Sequence, residues 1–164
     1  MKWKHVPIVA FDTETTGFDP RRDRLVGISI ALAADEAYYI PVGHRLARQL
    51  PAAITATTLR EVFARSRALK IAHNAAFDRP FVEQRWPVFE ELAWACSVKD
   101  VPWKEEGFGS AKLEYLLQTQ GLFYDAHRAE TDCHALLELL SRRLPQRQQP
   151  VLLSLLETLN QAQF

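Results

Sequence analysis

An apolar run that ends on two carboxylates is hard to place in any fold, and residues 8–17, IVAFDTETTG, are such a run. Ile8, Val9, Ala10 and Phe11 lead into Asp12 and Glu14, and a Thr-Thr-Gly follows. On a strand, side chains two residues apart share a face. Asp12 and Glu14 therefore stand close together, and two like charges at that spacing repel unless a cation lies between them or one takes up a proton. The stretch asks for a metal. The rest of the chain must supply further ligands, or the reading fails.

Composition narrows the classes. With 164 residues, one domain with a full core is expected, and 48% apolar against 24% charged residues is the balance of a soluble globular protein. The formal net charge is zero, which argues against a general nucleic-acid-binding coat but leaves room for a local basic groove. Arginine supplies 14 of the 20 basic residues, the side chain better suited to bidentate phosphate contacts. Cys96 and Cys133 lie in no zinc-binding spacing and read as reduced thiols of a cytoplasmic protein. No apolar run approaches the about 18 residues that a membrane helix needs, and no signal peptide is evident.

The pattern along the chain predicts strands at 6–11, 25–33 and 36–42, joined as a meander by tight connections. A helix is expected from Thr55 to Arg67, a strand at 69–73, a helix at 75–86 with Pro80 in its first turns, and a strand at 92–97. Residues 100–110 read as loop, 112–121 as a helix closed by Gly121, and 130–143 as a further helix. After Leu144 the polar spacer PQRQQP precedes an amphipathic segment, either a terminal helix packed on the core or the start of a further part. The expected domain is 1–144, with 145–164 as spacer and helix. The predicted fold class is α/β: a mixed sheet, antiparallel meander first and parallel strands after, flanked by helices.

Two more stretches answer the demand for ligands. HNAAFDRPF at 73–81 places Asp78 just inside a helix, and HRAETDCHA at 127–135 sets His127 five residues before Asp132. With DTETTG these three stretches resemble, in order, the three motifs of the DEDDh (DnaQ-like) 3′–5′ exonucleases, typified by the proofreading epsilon subunit of bacterial DNA polymerase III. The resemblance covers residues 8 to about 143 and implies a ribonuclease H-like, five-stranded sheet. A related branch carries Tyr four residues before the last Asp; that position here is Arg128, so the histidine branch is implied.

The residue types fit the chemistry. Carboxylates without gathered His or Cys suit Mg²⁺ or Mn²⁺ rather than zinc. Two such cations clamp a phosphodiester, one activating water and the other stabilising the leaving oxygen. The resemblance implies that Asp12, Glu14 and Asp132 hold the nucleophile-side ion. Asp12 bridges to the second ion, Asp78 supports that one, and His127 takes the proton from water. Around the terminal nucleotide it implies the backbone of Thr15, Thr16 and Gly17, with Phe18, Asn74 and Phe77 as side-chain contacts. The implied substrate is a single-stranded 3′ end, DNA before RNA, with a DNA polymerase or a repair complex as the expected partner.

Blander readings stand beside these. Phe18 and Phe77 serve equally as core aromatics, Asn74 as a helix cap, His73 as a structural hydrogen-bonder, and Cys133 as a small buried thiol. Arg21, Arg22 and Arg24 form either a phosphate grip or a solvated turn. Three function classes remain in play: an exonuclease on DNA or RNA ends, a phosphomonoester hydrolase using a DxDxT-like nucleophile loop, and a binding module that keeps the fold without catalysis. Glu14 at the third position of the first motif, together with the other two motifs, counts against the hydrolase. The full set of carboxylates counts against the inactive module.

Overall fold

The computed structural model describes residues 7–33, 35–45, 48, 51–66, 68–91, 93–122 and 129–162. Strand β1 (Ile8–Thr15) lies at the centre of a five-stranded sheet. β2 (Leu25–Ala33) pairs with it antiparallel and β3 (Glu36–Pro41) continues the meander. On the other side, β4 (Leu69–Ala72) and β5 (Trp94–Cys96) run parallel to β1, giving the order β3-β2-β1-β4-β5. This is the mixed sheet that the sequence predicts.

Helices cover both faces: α1 (Ala52–Ser66), α2 (Ala75–Arg85), α3 (Leu113–Gln118), α4 (Ala129–Ser141) and α5 (Val151–Gln161). Alternation along β1 decides which helix meets which side chain. Val9 and Phe11 enter a core with Leu59 of α1 and Phe81, Val82 and Trp86 from α2 and its end. Ala10 enters the opposite core, with Cys133, Leu136 and Leu139 of α4 and Val151, Leu155 and Leu156 of α5. The segment after the polar spacer thus forms a helix packed on the core.

Several boundaries shift for physical reasons. β1 runs on to Thr15, past the apolar residues, because β2 continues to pair with it through Asp12, Thr13 and Glu14. The helix expected at 112–121 ends at Gln118. Gly121 adopts a left-handed φ of 73°, and its N–H and that of Leu122 donate back to Gln118 and Leu117. A short 3-10 turn at Pro87–Glu91 escapes a pattern-based reading because it is too brief to show a period. Val6, Arg67 and Leu92, ends of three predicted elements, lie outside the described residues. Among the described residues no helix is long and apolar enough to cross a membrane.

Candidate active site

The acidic end of β1 is shaped by where its neighbours stop. β4 pairs with β1 only as far as Phe11↔Ala72, so the stretch from Asp12 onward has lost its partner on that edge. The exposed edge is taken over by Asp78 from α2. Its Oδ1 accepts hydrogen bonds from the Thr13 backbone N–H at 3.0 Å and from the Thr13 Oγ1 hydroxyl at 2.7 Å. Thr13 points to the α2 side of the sheet, as alternation after Phe11 requires. Asp12 and Glu14 point to the α4 side, in line with Ala10, and there they meet Asp132. A bulge after Glu14 then turns the chain out of the ladder.

Close approach of α4 depends on small residues. Ala10 and Ala31 face each other across β1 and β2, both fully buried, and Cys133 sits over them. Its thiol lies 3.4 Å from the Ser29 carbonyl oxygen and 3.7 Å from that of Ala10. The inward thiol is thus a packing element, and it brings the preceding residue, Asp132, to the mouth of the site. Burial and the nearby carboxylates push the Cys133 thiol well above its usual range, so it is no nucleophile here.

Burial, followed by the charges of Asp78, Asp132 and Glu14, pushes the Asp12 carboxyl up to about 8. Burial also raises Asp78, to about 6, against the lowering effect of its bonds to Thr13. Four carboxylates from β1, α2 and α4 thus form one electrostatic group. Without a cation, Asp12 keeps its proton at neutral pH. Among the described residues, however, no three His, Cys, Asp or Glu side chains are drawn close enough to enclose a metal ion as they stand. The two findings differ in what they measure: coupling acts over several ångströms, whereas coordination needs oxygens at about 2.1 Å. The donor set itself, oxygen only and acidic beyond what its own surroundings neutralise, fits a hard divalent cation.

Of the four carboxylates, Asp12 and Asp132 open into a cleft of about 690 Å³, lined also by His73, Asn74, Lys112 and Glu114 among others. Asn74 occupies the N-cap position of α2 with a left-handed φ of 78°, yet its side chain makes no capping bond. The helix-cap reading is therefore wrong in its chemistry, and the exposed carboxamide is presented to the cleft. A non-glycine residue in this conformation is uncommon and costs energy, which is typical of functional sites.

His73 is a structural hydrogen-bonder. Its Nε2 lies 2.6 Å from the Ala111 carbonyl oxygen, which can only accept, so Nε2 carries the hydrogen. Nδ1 then accepts from the Ser97 hydroxyl at 2.8 Å, a better use of that hydrogen than the Ala72 carbonyl at 3.4 Å. Burial holds the imidazole down to about 4, and it stays neutral. Its task is to pin the far wall of the cleft to the ends of β4 and β5. Lys112, on that wall, carries no motif and was not singled out from the sequence. A lone cationic side chain after a Gly-Ser turn gives no pattern to find.

Beyond Glu14 the structure revises the expectation for the Thr16 backbone. The Thr16 N–H already donates to the Arg24 carbonyl at 3.0 Å, so it is not available to a nucleotide. Gly17 is needed for an internal reason: a Cβ there would come within 2.4 Å of the Asp23 carboxylate. The Thr15 hydroxyl likewise turns inward, donating to the Gly17 carbonyl. Phe18, by contrast, is 89% exposed and cannot be core. It stands edge-on to Phe77, with ring centroids 6.1 Å apart, and Phe77 leans on Phe81. Phe77 is half-buried and serves both as support and as part of an accessible aromatic surface. His127 lies outside the described residues.

A family model described as 3′–5′ exonuclease matches residues 1–120. The chain belongs to that family. DNA polymerase I of Chloroflexus aurantiacus is 48% identical over 75 residues, 46% of this chain and 8% of that protein. The chain thus spans less than a tenth of the curated polymerases it matches. Among solved structures, Brucella melitensis NrnC with bound Mg²⁺ aligns over 96% of this chain and 73% of that one, with a TM-score of 0.55 at 20% identity. The zinc-bound E. coli ExoI–ssDNA complex aligns over 94% and 43%, with a TM-score of 0.69 at 17% identity. At such identities the structures share the fold. The expected likeness to the polymerase III epsilon subunit in particular rests on the three motifs alone, and the curated relatives are polymerase I proteins.

Proposed function

We propose that this exonuclease domain removes nucleoside 5′-monophosphates from single-stranded 3′ ends, DNA before RNA, with two divalent cations, Mg²⁺ or Mn²⁺. The observation that carries the reading is Asp12: a carboxyl held up to about 8 at the mouth of an open cleft by burial and three further carboxylates. A backbone hydrogen bond from Thr13 lowers this carboxyl, but burial and three neighbouring carboxylates outweigh it, the arrangement a cation stabilises. The NrnC structure with Mg²⁺ and the ExoI complex with single-stranded DNA support the reading by fold, and the polymerase I relatives favour DNA.

When bound, the cations supply an activated water and charge neutralisation at the leaving oxygen. Asp12, Glu14 and Asp132 hold the nucleophile-side ion from the α4 face of β1. Asp78 would support the second from α2, with its Oδ1 fixed by Thr13. His127 would accept the proton of the attacking water, a role suited to an imidazole, whose unperturbed pKa lies near neutrality. Lys112 meets the scissile phosphate from the opposite wall, Asn74 bonds the terminal nucleotide, and Phe18 stacks against its base over Phe77. A DNA polymerase or repair assembly is the expected partner. The free, buried thiols of Cys96 and Cys133 are consistent with a cytoplasmic protein.

The test is digestion of 5′-labelled single-stranded DNA and RNA of matched sequence, with Mg²⁺, with Mn²⁺ and with chelator. A metal-dependent ladder shortening from the 3′ end is expected, faster on DNA. A faster ladder on RNA would reassign the domain to RNA trimming. No ladder from folded protein would reject the enzyme.

A further inference from the structure

A second groove, of about 560 Å³, is lined by none of the four carboxylates. Its walls come from three separate segments: the turn after β1, the residues after β3, and the second half of α2. Each contributes arginine: Arg21, Arg22 and Arg24 from the first, Arg45 from the second, Arg85 from the third. All five are exposed. The acidic residue among the lining is Asp23, whose Oδ2 already accepts the Asp19 N–H at 2.9 Å.

The five are not equivalent. Arg21 and Arg22 lean on Asp19, at 3.2 and 3.8 Å. Among the described residues no carboxylate lies in ion-pair range of Arg24, Arg45 or Arg85. In a chain whose formal net charge is zero, three such guanidinium groups around one groove are a local concentration rather than a general bias.

The groove is also wired to the candidate active site. Arg24 donates its N–H to the Thr16 hydroxyl at 2.9 Å and accepts the Thr16 N–H through its carbonyl, so it is fixed two residues beyond Glu14. Phe81 lines the groove and stacks on Phe77, which supports Phe18. The buried Phe81 ring thus joins the groove to the Phe18–Phe77 pair, and the Arg24–Thr16 bonds join it to the end of the strand that carries Asp12 and Glu14. Planar guanidinium groups on separate elements fit a run of phosphodiesters better than a single small anion.

We infer that this groove binds the backbone phosphates of single-stranded nucleic acid several nucleotides 5′ of the end being cut, with Arg24, Arg45 and Arg85 as its contacts. The inference rests on the exonuclease reading for the direction of the strand, but not for its binding test. Contacts to phosphate carry no sequence or sugar preference, so DNA and RNA oligomers of equal length bind alike here.

The experiment measures the affinity of labelled single strands of roughly 12 nucleotides against salt, in chelator so that nothing is cut. Wild type is compared with Arg24→Ala/Arg45→Ala/Arg85→Ala and with the triple lysine version, after equal melting temperatures are checked. Loss of three contacts should lower the salt slope by about 2 and weaken low-salt binding by about tenfold or more, while lysine keeps the slope. In Mg²⁺ the rate advantage of the long strand over a dinucleotide should shrink in the alanine variant. Equal affinity and slope in wild type and alanine variant would overturn the groove, whatever the enzyme does. A lysine version as weak as the alanine one would overturn it too, since charge would then not be what binds. Binding lost on substitution, in a protein that cuts nothing, would keep the groove and remove the exonuclease reading instead.

Discussion

Glu106 and Asp12 are both carboxylates withdrawn from water, and their surroundings are opposite. Glu106, 3% exposed, accepts hydrogen bonds from the backbone N–H groups of Gln146 and Arg147 and an ion pair from the Arg147 guanidinium at 3.3 Å. It ties the loop before α3 to the spacer that leads into α5. Asp12 faces Asp78, Asp132 and Glu14, and its carboxyl rises to about 8. One site is complete in the folded chain. The other is complete only with something the chain does not supply. The contrast teaches how to separate structural from functional burial: count the donors around the charge.

The largest effect should come from Asp12→Asn, with activity down on the order of a thousandfold. Stability should move the other way. A carboxyl raised in the folded state contributes stability that is full below its unfolded value of 3.8 and is lost as pH rises through about 8. Metal-free wild type should therefore lose melting temperature relative to the Asn variant between those limits. Mg²⁺ should restore it in wild type alone. Absence of that crossover in calorimetry would break the comparison.

Glu106→Gln should do the reverse: a loss of about 2 kcal/mol in denaturant unfolding, with the turnover per folded molecule unchanged. If turnover falls as steeply as for Asp12, the two carboxylates are not opposites. His73→Ala tests a third buried group, satisfied like Glu106 but on the cleft wall. The imidazole is held down to about 4, so its contribution is present above its unfolded value of 6.5 and lost as pH falls toward 4. The variant should be less stable by about 1–2 kcal/mol at pH 7, and that deficit should fade in acid. Phe18→Ala is the smallest: no measurable change in melting, and a rise in KM for single strands of about tenfold with kcat little altered. A lowered melting temperature there would mean that the ring packs rather than binds.

Much of this was legible in the residues. The alternation of β1 set Asp12 and Glu14 on one face, and HNAAFDRPF and HRAETDCHA supplied Asp78 and Asp132 because motifs keep ligand and neighbours at fixed spacing. Less legible was everything that depends on where elements stop. Thr13 anchors Asp78 only because β4 ends at Ala72 while β1 continues. Asn74 looks like a side-chain cap until its left-handed backbone and missing capping bond are seen, and the Thr16 N–H looks available until the Arg24 carbonyl is found against it.

By itself, then, the sequence determined the strand and helix order, the mixed α/β sheet and the identity of the acidic residues, since periodicity and motif spacing are local properties of a chain. Tertiary structure alone decided that Asp78 reaches the site around the end of a shorter strand, and that Ala10, Ala31 and Cys133 are small enough to let α4 bring in Asp132. It also decided that arginines up to 64 positions apart, from Arg21 to Arg85, share one groove. Each of these is a distance between segments set by packing, and no local pattern encodes such a distance.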